Sequence, residues 1–294
     1  NFPVIHGEKG ILVFDLNQKR KEQQKGKIVL ESMRGGNAPN MVADWCTAIL
    51  RGEEEIQKTV EKELEIFIKE TGYALSLEPS QEGKIILHSR GKSAHGSAPQ
   101  LGLNAISQLM KFLERLPWGN SETGEFIKLY NQKIGMEYYG KSIGCGFEDE
   151  ISGKLIFNVG MIHMDAERMT ITANIRYPIT VSSDAVYDGI RKALKNTEVE
   201  VIPKDHKKPI YIPEEHELVQ KLIQVYRKET GDMESKPIVI GGGTYARAIK
   251  NAVAFGPTFP GQMGLEHQKD EHISIDFLLK CTKIYAQAMY TLAK

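Results

Sequence analysis

The sequence predicts a chain of mixed α/β and α+β class. The order strand, helix, strand occurs twice, around an amphipathic pattern over residues 53–71 and around a second helix that begins near Ser183. This repetition predicts two similar α+β halves that share one sheet. Further along, helical patterns over residues 215–230 and from Ser274 onward flank a short apolar run at 238–240, which is typical of part of an α/β layer.

Composition and charge exclude several classes of protein. The 294 residues are 41% hydrophobic and 26% charged, which is enough to bury one or two cores. Lysine and arginine together number 38, as do aspartate and glutamate, so no net field favours nucleic acid or an anionic membrane. The sequence contains no apolar run long enough to predict a membrane span. Cys46, Cys145 and Cys281 are widely spaced, which favours reduced core thiols and a cytoplasmic location.

The individual elements follow from local patterns. Residues 53–71 carry apolar side chains at helical spacing and stop at Gly72, as a helix end favours. Residues 168–177 alternate as in a strand with one buried face, which places Arg176 on the opposite, exposed face. Residues 17–27 are polar and predict a link between domains. The other predicted elements are strands over 11–14, 28–30, 154–162 and 198–202, a hairpin over 73–88, and helices over 103–116 and 125–133.

Residues 241–271 concentrate small, cationic and potential metal-binding side chains. Three consecutive glycines follow an apolar strand and leave backbone N–H groups open to an anion, and Thr244 is placed to cap a following helix. After a loop rich in glycine and proline comes His267, followed by Asp270 and Glu271. A glycine turn or a surface histidine alone is common in loops, but the combination favours a functional site.

Three residues outside this stretch are candidates for binding or catalysis. His95 lies among small residues immediately before a helix, so its ring is accessible and can donate a hydrogen bond to a developing oxyanion. Asn40 is by default a turn residue. Arg176 ends a strand, where an arginine is usually a solvated charge but can also bind a carboxylate.

These stretches resemble the dinuclear zinc peptidase family that includes aminoacylase and carnosinase, and most closely its bacterial peptidase V type of dipeptidase. The matching motifs are Gly-Gly-Gly-Thr at 241–244, GKSAHGSAP at 91–99, GGNAPNMV at 35–42 and Asn-Ile-Arg-Tyr-Pro at 174–178. The resemblance implies the C-terminal portion of an α/β catalytic domain with a large inserted lid of two ferredoxin-like α+β lobes.

The resemblance also implies roles for particular residues. His267 would be a ligand of one of two Zn²⁺ ions, or of Mn²⁺ or Co²⁺ in their place, and His95 would polarise the scissile carbonyl. Asn40 and Arg176 would hold the C-terminal carboxylate of a dipeptide. The substrate pocket would be lined by Gly242, Gly243 and Thr244, with Arg247 as a further candidate.

The beginning of the sequence predicts an incomplete catalytic domain. Phe2-Pro3-Val4-Ile5 and Glu8-Lys9-Gly10 match a family segment that follows a metal-binding aspartate, and no initiator methionine is present. We therefore expect the N-terminal portion of the parent enzyme to be missing and to be a partner of this chain. One histidine cannot hold a catalytic zinc ion, which needs about three protein ligands, so we expect the isolated chain to be inactive.

The expected division is a catalytic remnant over residues 1–24, the lid over 25–208 and the end of the catalytic domain over 209–294. A lid of this size suits a parent that covers its own active site as a monomer. Two other functions stay open. The parent could be an N-acyl amino acid deacylase or desuccinylase with the same metal centre, or the chain could be a non-catalytic binding or assembly module.

Overall fold

The computed structural model describes residues 1–21, 26–78, 83–262 and 270–294, which form two compact units. The larger unit comprises Gly10–Asp149 and Gly153–Lys208, and the smaller comprises Asn1–Lys9, Glu150–Ser152 and Pro209–Lys294. None of the described helices combines the length and the apolar character needed to span a bilayer.

The larger unit contains most of the regular structure. Its strands are β2 (Gly10–Lys19), β3 (Ile28–Gly35), β4 (Trp45–Gly52), β5 (Ala74–Glu78), β6 (Lys84–Arg90), β7 (Glu148–Asp149), β8 (Gly153–Lys154), β9 (Ile156–Met164), β10 (Arg168–Tyr177) and β11 (Glu200–Lys207). Its α-helices are α1 (Glu54–Thr71), α2 (Ala105–Leu113), α3 (Glu122–Lys133) and α4 (Ser183–Ala193), with a 3₁₀ turn at Pro99–Leu101. The smaller unit contains β1 (Ile5–Glu8), β12 (Ile210–Tyr211), β13 (Ile238–Ile240), α5 (Glu217–Thr230), α6 (Ile275–Leu292) and a 3₁₀ turn at Tyr245–Ala248.

Eight antiparallel strands form one sheet in the larger unit, in the order β11-β2-β10-β9-β3-β4-β6-β5. Each half of the sheet contains a hairpin, a helix and a returning strand: β3-β4-α1-β5 in one half and β9-β10-α4-β11 in the other. A further strand lies between the hairpin and the returning strand, β6 in the first half and β2 in the second. The two halves join where β3 pairs with β9. The predicted pair of similar α+β halves sharing one sheet is therefore confirmed.

The boundary at the N-terminal side differs from the predicted one at residue 24. Strand β2 pairs with β10 along its whole length, from Gly10 opposite Tyr177 to Lys19 opposite Arg168, so residues 10–19 belong to the larger unit. Polar residues such as Asn17 predict a link between domains when only the sequence is considered, but in the structure they lie on the polar face of the sheet. There Thr170 Oγ1 donates to Asn17 Oδ1 at 2.8 Å.

Both units have an apolar core. In the larger unit the core is formed by alternate residues of the sheet, among them Phe14 and Ile171, packed against the apolar faces of the helices. In the smaller unit, Phe2 stacks with Tyr226 in a core that α5 and α6 also contribute to. The three cysteines are buried and free, as predicted for core residues. Burial raises the pKa of the Cys145 thiol to about 12.

Candidate active site

The loop that carries Asn40 crosses β9 at very short range, and two glycines permit this approach. Gly36 has φ +72, and a Cβ atom added there would lie 1.9 Å from Gly160 O. A Cβ atom at Gly160 would in turn lie 2.4 Å from Pro39 O. Since no side chain fits at either position, Gly36 of the loop and Gly160 of β9 together allow the Asn40 segment to lie against the sheet.

The backbone around Asn40 is held in place because three consecutive backbone carbonyl oxygens each accept a hydrogen bond. Asn158 Nδ2 donates to Pro39 O and to Met41 O, each at 2.9 Å. Gly96 N donates to Asn40 O at 2.7 Å. The side chain of Asn40 itself is exposed, so the residue presents an amide from a fixed backbone.

His95 lies in the loop that pairs with this segment. Met41 and His95 form an antiparallel bridge, and Val42 N donates to Ala94 O at 2.9 Å. His95 Nδ1 lies 2.7 Å from Ser97 Oγ and accepts a hydrogen bond from Ser97 N at 3.3 Å. Because a backbone N–H can only donate, Nδ1 is an acceptor and the ring proton of the neutral tautomer is on Nε2. The residue is exposed, and an Nε2–H is the kind of donor that an oxyanion requires.

Replacing Ser97 with alanine is expected to weaken this tautomer preference. The hydroxyl contact to Nδ1 is lost while the backbone contact remains, and one neutral hydrogen bond contributes about 0.5–1.5 kcal/mol. We expect the ratio of the Nε2–H to the Nδ1–H form of His95 to fall about 2- to 13-fold. Long-range ¹H–¹⁵N correlation spectra of the neutral ring measure this ratio directly. Ser97→Thr keeps the hydroxyl and should preserve the ratio; an unchanged ratio in Ser97→Ala would contradict the assignment.

Arg176 is buried, so its predicted exposed position is wrong. Arg176 lies on an interior strand, where its backbone pairs with Ile156 of β9 and Ile11 of β2, and the residue is only 3% exposed. Its Nε donates to Asn174 Oδ1 at 2.9 Å. Asn174 pairs in register with Asn158. The structure thus brings Asn40 and His95 into neighbouring hydrogen-bonded loops and connects Arg176 to them through two buried asparagines.

The glycine turn of the smaller unit is organised by Glu8, to which the sequence analysis assigned no role. Thr244 caps the 3₁₀ turn Tyr245–Ala248, as predicted, although the helix is short. Its N and Oγ1 both donate to the Glu8 carboxylate, and Glu8 is 1% exposed. Arg247 Nε lies 2.6 Å from Glu8 Oε2 as an ion pair, and Arg247 Nη2 donates to Lys9 O at 2.7 Å. These contacts of Thr244 and Arg247 fix the turn itself.

The remaining predicted residues lie at the start of the glycine turn and in the loop that follows it. Gly242 is partly exposed and Gly243 is exposed, both at the start of the turn. His267 lies outside the described residues, while Asp270 and Glu271 are described and exposed. Within the described ranges, no three His, Cys, Asp or Glu side chains are grouped so that they could hold a metal ion. The described residues therefore do not by themselves fit a metal centre.

Comparison with known proteins decides the family. The model of peptidase family M20/M25/M40 matches residues 28–291, which is most of the chain. The chain belongs to this family. Its membership agrees with the mixed α/β fold and with the sequence resemblance.

Two curated relatives have dipeptidase names. The M20 chain is 37% identical over 298 residues to "Putative dipeptidase YtjP" of Bacillus subtilis (strain 168), which covers 100% of this chain. It is 33% identical over 294 residues, or 99% of this chain, to "Putative dipeptidase SAB1611c" of Staphylococcus aureus (strain bovine RF122 / ET3-1). The chain spans 62% of the length of each of these relatives.

Solved structures also match the M20 chain. One is an aminoacylhistidine dipeptidase from Vibrio alginolyticus, with a TM-score of 0.43 and 15% identity over 98% of this chain and 62% of that chain. Another is the di-peptidase Dug1p from Saccharomyces cerevisiae, with a TM-score of 0.42 and 9% identity over 98% of this chain and 55% of that chain.

Proposed function

We propose that the protein to which this chain belongs is a metal-dependent dipeptidase. Membership of the M20 peptidase family and the dipeptidase names of the two relatives support this reaction class. The observation that carries the proposal is the arrangement around Asn40. Two loops far apart in sequence pair so that an exposed amide and an exposed imidazole emerge from one hydrogen-bonded backbone segment.

In this proposal, each side chain of the larger unit has one task. The guanidinium of Arg176 and the amide of Asn40 bind the C-terminal carboxylate of the dipeptide, since a guanidinium fork matches a carboxylate. His95 donates its Nε2–H to the carbonyl oxygen of the scissile bond as negative charge develops there. The backbone contacts that fix Asn40 and His95 reduce the entropy lost when the substrate is ordered.

Residues of the smaller unit have proposed roles of their own. Gly242, Gly243 and Thr244 line the substrate pocket, Arg247 supports them, and His267 provides one metal ligand. Paired Zn²⁺ ions, or Mn²⁺ or Co²⁺, would supply activated water when bound. Since catalytic zinc needs about three protein ligands, the chain alone is proposed to be inactive and to need a further polypeptide for its metal site. We place the parent in the cytoplasm as a monomer.

A deacylase of N-acyl amino acids is the alternative, because such substrates also end in a free carboxylate that Arg176 could bind. The test is hydrolysis of Leu-Gly, carnosine, N-acetyl-leucine and N-succinyl amino acids, together with zinc content by elemental analysis. Each is measured on this chain alone and after mixing with the part of the Bacillus subtilis relative that it does not match.

Zinc and Leu-Gly turnover in the mixture alone would support the dipeptidase proposal and the inactivity of the isolated chain. Turnover by the chain alone would contradict its inactivity and require metal ligands other than those proposed. Preference for the acylated amino acids would favour the deacylase. Binding of peptides without turnover in any mixture would favour a non-catalytic module.

A further inference from the structure

Asn158 is the side chain that holds both ends of the Asn40 segment. It lies on β9 and is 1% exposed. Its two donor contacts reach Pro39 O and Met41 O, the carbonyls immediately before and after Asn40. The reverse amide orientation would point Oδ1 at two carbonyl oxygens, so the chemistry of the acceptors fixes which atom faces them.

The oxygen of this amide indicates why an asparagine occupies the position. Asn158 Oδ1 is buried and has no hydrogen-bond partner within the described part of the chain. Burying an unsatisfied acceptor is unfavourable, and an apolar leucine would avoid that cost. A leucine, however, would supply no donor to Pro39 and Met41. The two donor bonds are therefore what the asparagine contributes.

Asn174 gives Arg176 a similar support on the neighbouring strand. Asn174 is buried, and its Oδ1 accepts from Arg176 Nε at 2.9 Å. It pairs with Asn158 across β9 and β10. The backbone around Asn40 and the side chain of Arg176 are thus each held by a buried asparagine, and these two asparagines are register partners on β9 and β10. The positions of the two recognition residues therefore depend on one strand pair.

We propose that Asn158 is a positioning residue for carboxylate recognition. It fixes the backbone of Asn40 relative to β10, so that the Asn40 amide and the Arg176 guanidinium are placed for the same C-terminal carboxylate before the peptide arrives. A site ordered in advance loses less conformational entropy on binding. The inference rests on the proposed function, since it assumes that Asn40 and Arg176 contact the carboxylate of a dipeptide.

The test compares Asn158→Leu with a matched change elsewhere in the larger unit. Gln108 is also fully buried; its Nε2 donates to Arg90 O at 3.1 Å and its Oε1 has no partner within the described residues. Gln108→Met therefore removes a similar amide from a position without any proposed role in binding. Both substitutions replace a buried amide with an uncharged apolar side chain.

Two quantities are measured on the 294-residue chain. Hydrogen exchange of the Gly96 amide reports on the bond to Asn40 O. NMR titration with Leu-Gly and with leucyl-glycinamide, which lacks the carboxylate, gives the affinity for each. The ratio of the two affinities is the preference for the carboxylate. We expect Asn158→Leu to speed exchange at Gly96 about tenfold and to lower the preference for Leu-Gly over the amide about 5- to 10-fold, because two donor bonds are lost while the unsatisfied Oδ1 is removed as well. Gln108→Met should leave both within about twofold of the wild type.

The outcomes separate the inference from the function on which it rests. Unchanged exchange at Gly96 in Asn158→Leu overturns the inference, and so does faster exchange with an unchanged preference. If the wild-type chain shows no preference for Leu-Gly over the amide, the proposed carboxylate site fails and the inference falls with it. Should Asn158→Leu not fold, Gly96→Ala disturbs the same segment from the other side, because its Cβ would lie 2.9 Å from Asn40 O.

Discussion

Replacing Glu8 with glutamine is expected to destabilise the smaller unit by about 3–5 kcal/mol, the usual effect of removing one partner from a buried ion pair. The Glu8 carboxylate accepts from both donors of Thr244 and pairs with Arg247, whose side chain is 13% exposed. Glutamine keeps an acceptor for Thr244 but turns an amide N–H or a neutral oxygen toward a guanidinium. Hydrogen exchange of the Thr244 amide and of β1 and β13 measures the free energy of opening of this unit.

Glu229→Gln is the matched control in the same unit. The Glu229 carboxylate is 10% exposed, but its partner Lys283 is 76% exposed and lies 3.2 Å away. A pair with one solvated partner contributes about 1 kcal/mol or less. Equal effects of the two substitutions would show that burial of the Glu8 pair does not matter, and would remove Glu8 as the organiser of the Thr244 turn.

The regular elements were predictable because local patterns determine them. The helix pattern over residues 53–71 and the hairpin over 73–88 depend on side-chain periodicity, and α1, β5 and β6 confirm them. Thr244 was recognisable as a cap because a cap is a local hydrogen bond. These predictions needed no knowledge of which segments meet in space.

The errors came from contacts that alternation does not determine. The pattern of β10 correctly assigns Arg176 to the face opposite the core, but it does not determine what covers that face at the end of the strand. Likewise the polar residues of β2 pair with threonines of β10, which a local interpretation takes for a link. Asn158 and Glu8 were missed for a related reason: each is a polar residue inside a strand, and its partners are distant in sequence.

Replacing Arg176 with lysine is expected to weaken binding of Leu-Gly about 10- to 150-fold, with little effect on leucyl-glycinamide. Hydrogen bonds to charged groups contribute about 1.5–3 kcal/mol, and an ammonium group cannot reproduce the planar fork of a guanidinium. Lysine also lacks the Nε donor that reaches Asn174 Oδ1 at 2.9 Å, so its charge is not held in place. Titrations followed by calorimetry or NMR give both affinities.

Arg20→Lys separates carboxylate recognition from the general effect of losing a partly buried guanidinium. Arg20 Nε donates to Asp165 O and Nη1 to Thr123 Oγ1, each at 2.7 Å, in the same unit. Its replacement removes comparable hydrogen bonds but should change the preference for Leu-Gly less than about twofold. If both lysine variants lose the preference equally, the loss reflects altered stability and Arg176 has no specific role. If only Arg176→Lys loses it, the buried guanidinium recognises the carboxylate, and its burial explains why the site discriminates a charged terminus from an amide.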